Sequence, residues 1–271
     1  YRLSRSLSRE KMRFQSIAFL KCSDWKRVKP FSDIFGATSI DLLTQFTAAE
    51  LRDLSHDQLA DIIARRGRGR FDDPDATARA VQQALRSSYP IESQLDEMVT
   101  FSLATIWDHI HFIQRLMKRL DKQIAHAIDP VPNPIITVKG LGPVITAGLL
   151  AEIVDISRFP EHKHLAQYVG LTWHKRSSGG FISQNTRLTK IGNVYARYYF
   201  ILGANALRRF NLEYQAFYWR KYQEVRKHQH TRALVLTARK LVRLVHALLT
   251  KNVPYVRPQM PVHFQEDVLL Q

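Results

Sequence analysis

The sequence has little cysteine and no long apolar run. Among its 271 residues Cys22 is the single cysteine, which excludes an intramolecular disulfide and a thiolate-rich zinc site. No apolar segment approaches the roughly 20 residues that a membrane-spanning helix needs, and no signal peptide is visible. These absences predict a cytoplasmic protein without a membrane partner and without a metal site built from its own residues.

Acidic residues are scarce in the C-terminal half. Between Glu161 and Arg257 the chain has 18 lysines and arginines but only three carboxylates, Glu161, Glu213 and Glu224, while the net charge of the whole chain is +16. Clustered cations are typical of a surface that binds a polyanion, because each neutralised phosphate releases condensed counterions. The charge pattern therefore favours a nucleic-acid partner over an evenly charged soluble domain.

Hydrophobic periodicity predicts a mainly α-helical protein with a sizeable core, since 45% of the residues are hydrophobic. The first region is helical, and Leu3, Leu7, Phe14, Ile17 and Leu20 form the apolar face of its first helix. Thr47 and Ser55 have the positions of helix N-caps. Composition divides the chain into a helical segment 1–89, a helix and linker 90–133, a C-terminal domain 134–257 and a tail 258–271.

A long helix from about Pro90 to Ile128 has the most regular pattern. Apolar side chains recur at alternating spacings of four and three, as in a coiled coil. These seam residues are Val99, Leu103, Ile106, Ile110, Ile113, Met117, Leu120, Ile124 and Ala127. A seam this narrow needs a partner helix, either the N-terminal helix of the same chain or a second copy. Dimerisation is the preferred hypothesis.

The prolines after this helix end it, and a pattern typical of a helix-hairpin-helix follows. Residues 135–138 would close a short first helix, Gly140-Leu141-Gly142 would form the hairpin, and residues 147–153 would continue the second helix. The two glycines would let backbone amides approach a phosphate, next to the positive N-terminal end of the second helix. An ordinary helical hairpin in a core would have the same pattern.

Two serines then lie in a short polar segment. Ser177 and Ser178 follow Lys175-Arg176 and precede a Gly-Gly pair. Attack on a phosphodiester requires an accessible hydroxyl, cations that stabilise the developing negative charge, and a flexible tether. A solvated turn has the same composition, so the residues alone leave both interpretations open.

The order of motifs resembles a known family. G-L-G, G-L-T, S-G-G and R-L-T-K-I-G-N, followed by a helix rich in Tyr and Arg, are similar to the C-terminal domain of insertion-sequence transposases of the IS110 type. That family is related to the Piv invertase and includes recombinases guided by a bridge RNA. The resemblance covers about residues 135–254, and the helical region before it resembles the family's coiled-coil middle domain.

The resemblance implies DNA transposition and recombination through a covalent phosphoserine. The motif order places the nucleophile on Ser178, with Ser177 as the alternative. The residues expected to bind nucleic acid are Gly140, Gly142, Lys175, Arg176, Arg187, Lys190 and Arg197. The implied partners are double-stranded DNA in the bacterial nucleoid, a guide RNA, and further copies of the chain through the coiled coil.

The family's second catalytic element is a RuvC-like domain whose DEDD carboxylates bind Mg²⁺. The acidic cluster Asp72, Asp73 and Asp75 precedes a helix, so we expect it to cap that helix. The sequence begins at Tyr1 within a helical pattern, and we expect the RuvC-like domain to lie upstream of it. This chain, without cofactor of its own, is then expected to bind nucleic acid but not to transpose alone.

Two other functions have some support from the sequence. A non-catalytic helix-hairpin-helix scaffold or an inactive transposase remnant would have the same charge and hairpin without using Ser178. A tyrosine recombinase would use Tyr198 or Tyr199, but it would also need an Arg-His-Arg set that the sequence does not display.

Overall fold

The computed structural model describes residues 1–173, 177–178, 181–182 and 188–257, and of residues 177–178 and 181–182 it describes the backbone. These residues are mostly α-helical, as the sequence predicts, with one small antiparallel sheet. The described helices include none that is both long and apolar enough to cross a membrane. The chain folds as two compact units, one of Arg2–Arg119 and one of Leu120–Gln271 with Tyr1.

The first unit is a set of helices around one apolar core that includes Phe14, Leu43, Ile63 and Leu103. Its helices are α1 (Arg2–Lys21), α2 (Trp25–Val28), α3 (Ala37–Gln45), α4 (Ala48–Asp53), α5 (His56–Gly67), α6 (Pro74–Ser87) and the first part of α7 (Ser93–Ile128).

Side-chain caps begin three of these helices. The Thr47 hydroxyl accepts a hydrogen bond from the Glu50 amide, and the Ser55 hydroxyl accepts one from the Gln58 amide, so both predicted caps are confirmed. Asp73 caps α6 and accepts from the Ala76 amide at 2.7 Å. The acidic cluster therefore has the capping role expected of it.

The apolar face of α1 differs from the prediction at its C-terminal end. Phe14 is fully buried as expected, but Leu20 is 54% exposed and the neighbouring Lys21 is buried. The Lys21 ammonium donates hydrogen bonds to the carbonyl oxygens of Leu43 and Phe46 and to the Thr100 hydroxyl. These acceptors replace the water that a buried ammonium loses.

Helix α7 has the predicted extent, but its seam is covered unevenly. The first five seam residues, from Val99 to Ile113, are buried, and the first four of them belong to the same core as Phe14 of α1. Further along, Leu120 is 49% exposed. The first half of the seam therefore packs within the chain, as expected if the N-terminal helix of the same chain is its partner. The oligomeric coiled coil remains a prediction.

The second unit is built mainly from five helices. They are α8 (Pro143–Ile153), α9 (His162–Val169), α10 (Val194–Phe210), α11 (Leu212–Gln223) and α12 (Gln229–Lys251). Leu149, Phe200 and Leu241 are fully buried in their common core. Gly148 of α8 faces Tyr199 of α10, because a Cβ at Gly148 would lie 2.4 Å from the Tyr199 ring. The small residue thus permits close contact with α10.

The short first helix predicted for the helix-hairpin-helix is a single turn. Residues Ile135–Thr137 form a single 3₁₀ turn, with Pro134 at its start and Val138 at its end. Proline supplies no amide to a longer helix, and Gly140 already has a φ of 107°. The second helix begins with Pro143 in its first turn, where a missing amide proton costs no hydrogen bond.

The tyrosines of α10 and α11 divide into buried and exposed members. Tyr214 and Tyr218 of α11 are almost completely buried. Tyr195 of α10 is 40% exposed. It lies in the first turn of α10.

Candidate functional site

The two candidate nucleophiles lie on a short β-hairpin. Strand β1 (Ser177–Ser178) pairs antiparallel with β2 (Phe181–Ile182), with Ser177 opposite Ile182 and Ser178 opposite Phe181. The backbone at the serines is therefore hydrogen-bonded, whereas the sequence predicted a loop. The cations expected around them, Lys175, Arg176 and Arg187, lie outside the described residues.

The two chain segments that lead into and out of this hairpin are held together at its foot. Trp173 and Leu188 form an isolated antiparallel bridge. In the adjacent residue pair, on the side away from the serines, the Thr189 amide donates to the Thr172 carbonyl at 2.9 Å. The two threonine hydroxyls are 3.1 Å apart. The T of G-L-T and the T of R-L-T-K-I-G-N thus contact each other, which explains their presence on both sides of the serines.

Two glycines allow the chain to turn beneath this foot. Gly170 has φ 72° and Gly192 has φ 134°, both in the region that favours glycine. A Cβ at Gly192 would lie 2.3 Å from the Tyr168 carbonyl oxygen, so no larger residue could occupy this position without a backbone shift. The glycine of R-L-T-K-I-G-N is thus required by packing and by φ.

Arg197 and Lys190, both expected to bind nucleic acid, have different environments. The Nη1 atom of Arg197 donates to the carbonyl oxygens of Val169 and Lys190, each at 3.0 Å. These bonds join α10 to the ends of both segments and give Arg197 a positioning role. The Lys190 side chain is exposed, on a backbone with φ 54°.

Asn193 organises a polar network that the sequence prediction missed. Its Oδ1 caps α10 by accepting from the Tyr195 and Ala196 amides at 2.8 and 2.9 Å. Its Nδ2 donates to Glu152 Oε2 and to the Tyr168 hydroxyl, both at 2.8 Å. An Asn before a helical pattern indicates a cap, and α10 does begin next to it. Nothing in the sequence indicates the contact with Glu152, 41 residues away.

An open cavity of about 520 Å³ lies against this foot. Its lining includes Arg158, His164, Tyr168, Thr172 and Thr189, and we call it the foot cavity. The Arg158 guanidinium lies 5.6 Å from the centre of the Tyr168 ring, which is a cation–π contact. The foot cavity combines a cation, an aromatic ring and hydroxyl groups, but its members are dispersed along the sequence and no motif predicts it.

The predicted Gly140-Leu141-Gly142 hairpin is formed by two glycines with different roles. A Cβ at Gly140 would lie 3.3 Å from Phe210 Cβ, so Gly140 faces the protein interior and needs its positive φ. Gly142 is exposed, and a Cβ there would contact nothing within 4 Å. The first turn of α8 begins at this open position, where helix amides lack intrahelical partners.

The three carboxylates of the basic segment are all engaged in ion pairs. Glu161 pairs with Lys163 at 2.7 Å and Glu213 pairs with Lys240 at 2.6 Å. Glu224 contacts Lys221 and, at 2.9 Å, Arg232. The nearby cations lower the pKa of Glu161 and of Glu224. These carboxylates are thus paired locally, and the excess positive charge of the segment is left to the other cations.

The part of the chain that the structure describes contains no cluster of three or more His, Cys, Asp or Glu side chains suited to a metal ion. Asp73 already has a capping role, so the acidic cluster of α6 does not match the carboxylate set that a DEDD site requires. The magnesium ion that the family resemblance implies therefore remains a prediction.

The serine hairpin, its foot and the glycine hairpin all lie in a segment that matches a known family. Residues 133–219 match the model of the Transposase IS116/IS110/IS902 family. The chain is also 30% identical, over 161 residues, to the insertion element IS110 uncharacterized 43.6 kDa protein of Streptomyces coelicolor. That alignment covers 59% of this chain and 38% of the relative. Residues 133–219 are therefore similar to the transposase domain of the IS116/IS110/IS902 family, and the matched part of the chain spans less than half the length of this relative.

Proposed function

We propose that this chain is the C-terminal part of a DNA transposase that cuts and rejoins DNA through a covalent serine ester. The observation that carries the proposal is the serine hairpin, whose foot is assembled from the family motifs on both sides of it. Thr172, Thr189, Gly192 and Arg197 fix the points where the chain leaves and re-enters the helical domain. Such a fixed base would allow a nucleophile to be presented outward at a defined place.

Ser178 is the proposed nucleophile, with Ser177 as the alternative. Its Oγ would attack a DNA phosphorus atom and form a P–Oγ bond, while the bond to the departing sugar oxygen breaks. The serine proton would pass to a base, and the released sugar oxygen would be protonated. Attack by the hydroxyl of another strand would reverse these steps and restore the serine. The number of phosphodiester-type bonds is conserved, so no ATP is required.

The cations of this segment would bind the DNA near the reacting phosphate. Lys190 is exposed at the foot, and Lys175, Arg176 and Arg187 are close to the serines in sequence. The exposed Gly142 and the first turn of α8 would contact a neighbouring phosphate through backbone amides. No step of this proposal uses a metal ion. The resemblance implies Mg²⁺ on a separate RuvC-like domain, so this chain alone is proposed to bind DNA without recombining it.

Replacing Ser178 tests the chemistry directly. In protein expressed from the complete reading frame, Ser178→Ala should abolish the covalent protein–DNA adduct on a denaturing gel but leave DNA binding unchanged. Ser177→Ala is the matched control, because it removes the same hydroxyl one position away. An adduct that survives in Ser178→Ala and disappears in Ser177→Ala would move the nucleophile by one residue. An adduct present in both variants would refute the serine mechanism.

A non-catalytic nucleic-acid scaffold is the second candidate function. It is favoured by the open glycine hairpin, which serves binding whether or not a serine reacts. A scaffold would form no adduct in the wild-type protein. The tyrosine alternative is less compatible with the fold, since the Tyr199 ring packs directly on Gly148 of α8. Tyr198→Phe would remove the adduct only if a tyrosine were the nucleophile.

Two partners are proposed in addition to DNA. A guide RNA is implied by the family resemblance alone. A second copy of the chain is proposed to pack on the later part of α7, where Leu120 is 49% exposed although it continues the apolar seam. Size-exclusion chromatography with light scattering would reveal such an oligomer, and a monomer at all concentrations would contradict it.

A further inference from the structure

A second group of cations in the C-terminal unit lies on helices α9 and α12. The cluster consists of His162 on α9 and Arg239, Arg243 and His246 on α12, and we call it the α9–α12 cluster. Arg239 Nη1 is 3.5 Å from the His162 carbonyl oxygen. The rings of His162 and His246 have centroids 6.5 Å apart and are nearly perpendicular. The packing of α9 on α12 therefore brings together four groups that carry, or can carry, positive charge.

This cluster lacks a compensating negative charge. Among the described side chains no carboxylate lies within ion-pair distance of Arg239 or Arg243, and the nearby Glu161 already pairs with Lys163. Burial and then the charge of Arg243 lower the pKa of Arg239. Burial and the neighbouring cations likewise lower the pKa of His162, although Glu161 opposes them. The cations thus destabilise one another, and a bound anion would relieve that repulsion.

Hydrogen bonding leaves part of the cluster unsatisfied. His246 Nε2 lies 2.8 Å from the Phe159 carbonyl oxygen, which can only accept, so Nε2 carries the proton. Nδ1 of His162 and Nδ1 of His164 are buried and have no hydrogen-bond partner among the described residues. His164 also lines the foot cavity. Helix α9 therefore carries both His162 of the cluster and His164 of the foot cavity.

We propose that the α9–α12 cluster binds the phosphodiester backbone of a nucleic acid strand that continues from the foot cavity. Arg243 is exposed and Arg239 is half-buried, so the site is open enough for a polymer and still partly shielded from water. A guanidinium pair matches phosphate oxygens in geometry and charge. The choice of a nucleic acid rests on the proposed function, whereas the preference for an anion rests on the cluster itself.

Salt-dependent binding of the 271-residue chain tests the site. Arg243→Gln is compared with Lys251→Gln, a matched control that removes one charge from an exposed position of the same helix. Affinity for a short DNA duplex and for an RNA of equal length is measured across a salt series. Loss of one phosphate contact should reduce the slope of log K against log salt by about one and weaken binding several-fold. We expect this for Arg243→Gln in at least one arm and not for Lys251→Gln.

The arms distinguish the source of the phosphates. A reduced slope with DNA alone assigns the site to the DNA strand, and one with RNA alone assigns it to RNA. Equal slopes and affinities for Arg243→Gln and Lys251→Gln in both arms would overturn the proposal. Arg239→Gln could also perturb the contact between α9 and α12, so its thermal unfolding must match the wild type before its binding is interpreted.

The proposed serine chemistry and this site can fail separately. The binding series of the 271-residue chain is compared with the adduct assay of Ser178→Ala, which is carried out on protein from the complete reading frame. A slope change at Arg243 with an adduct that persists in Ser178→Ala would support the site and refute the mechanism. An unchanged slope for Arg243→Gln, together with loss of the adduct in Ser178→Ala, would refute the site and support the mechanism.

Discussion

At the scale of single residues, Lys21 shows how an ionisable group can belong to a core. Its ammonium is fully buried and donates to the Leu43 carbonyl at 2.8 Å and to the Thr100 hydroxyl at 2.9 Å. Burial lowers the pKa of Lys21 to about 8, while the charge of Asp96 opposes this shift. In the sequence, Lys21 is one of many cations on an amphipathic helix, and its burial is not predicted. Acceptors that lie 22 and 79 residues away cannot be inferred from helical periodicity.

The lowered pKa makes the stability of the first unit depend on pH. Above about pH 8 the folded chain loses the Lys21 proton, whereas the unfolded chain keeps it up to about pH 10.5. The unfolded state then binds more protons, so the contribution of Lys21 to stability rises with pH in this window. The Lys21→Met variant lacks this pH-dependent gain in stability. It also leaves the carbonyl oxygens of Leu43 and Phe46 without the hydrogen bonds that Lys21 donates. We expect it to cost roughly 1–3 kcal/mol near neutral pH and more at higher pH.

Urea unfolding of the wild type and Lys21→Met, at about pH 7 and about pH 9.5, measures this difference. The control is Lys26→Met, since Lys26 is an exposed cation of the same unit. A cost of Lys21→Met that does not change between the two pH values would contradict the buried, proton-releasing state of this lysine.

Two glycines of the family motifs give a matched pair of substitutions. Gly192→Ala should destabilise the protein by about 2 kcal/mol or more, because its φ of 134° is unfavourable for alanine and the new Cβ would overlap the Tyr168 carbonyl. Gly142→Ala meets neither problem and should leave the melting temperature nearly unchanged. Thermal unfolding followed by circular dichroism measures both variants. Equal melting temperatures would show that Gly192 is not constrained as described.

At the scale of secondary-structure elements, local chemistry was more predictive than tertiary contacts. The caps at Thr47 and Ser55 and the extent of α7 follow from residue type and apolar spacing, and they are confirmed. The short helix predicted before Gly140 is a 3₁₀ turn, since the preceding prolines supply no amides for a longer helix. The foot cavity and the Asn193–Glu152 contact could not be predicted, since their members come from distant segments.

The uneven covering of the α7 seam predicts unequal costs for the same substitution. Leu103 is completely buried, so Leu103→Ala should cost about 2–5 kcal/mol through lost contacts and a cavity. Leu120 is 49% exposed, and Leu120→Ala should cost less than about 1 kcal/mol in a monomer. Chemical denaturation at low protein concentration measures both. A large cost for Leu120→Ala that grows with protein concentration would instead indicate a partner helix on this part of the seam.

At the scale of the whole molecule, the distribution of charge along the chain is more informative than the net charge. Of the net charge of +16, nearly all arises between Glu161 and Arg257, and the three carboxylates there pair with nearby cations. The sequence was sufficient to predict this segregation. It could not show which cations are paired, because Arg232 and Lys240 differ from Arg243 only in their spatial neighbours.

This charge distribution predicts steeply salt-dependent binding to DNA. If the chain contacts six or more phosphates, its affinity should fall by about a thousandfold or more between roughly 50 and 200 mM salt. Fluorescence anisotropy with a labelled duplex measures the slope. Lys163→Gln provides a comparison, since Lys163 is already paired with Glu161, and its slope should stay close to the wild type. Binding that is insensitive to salt would contradict a role for these cations in DNA recognition.

The closed foot of the serine hairpin has a consequence for how related proteins can diverge. Because Trp173 and Leu188 are bridged and the Thr189 amide is bonded to the Thr172 carbonyl, the chain leaves and returns to the helical domain at one place. Segments of different length could be grafted between these two anchors while the core beneath stays intact, since the entropic cost of closing a loop grows only slowly with its length. New target preferences could evolve there by insertion and deletion, without a redesign of the fold.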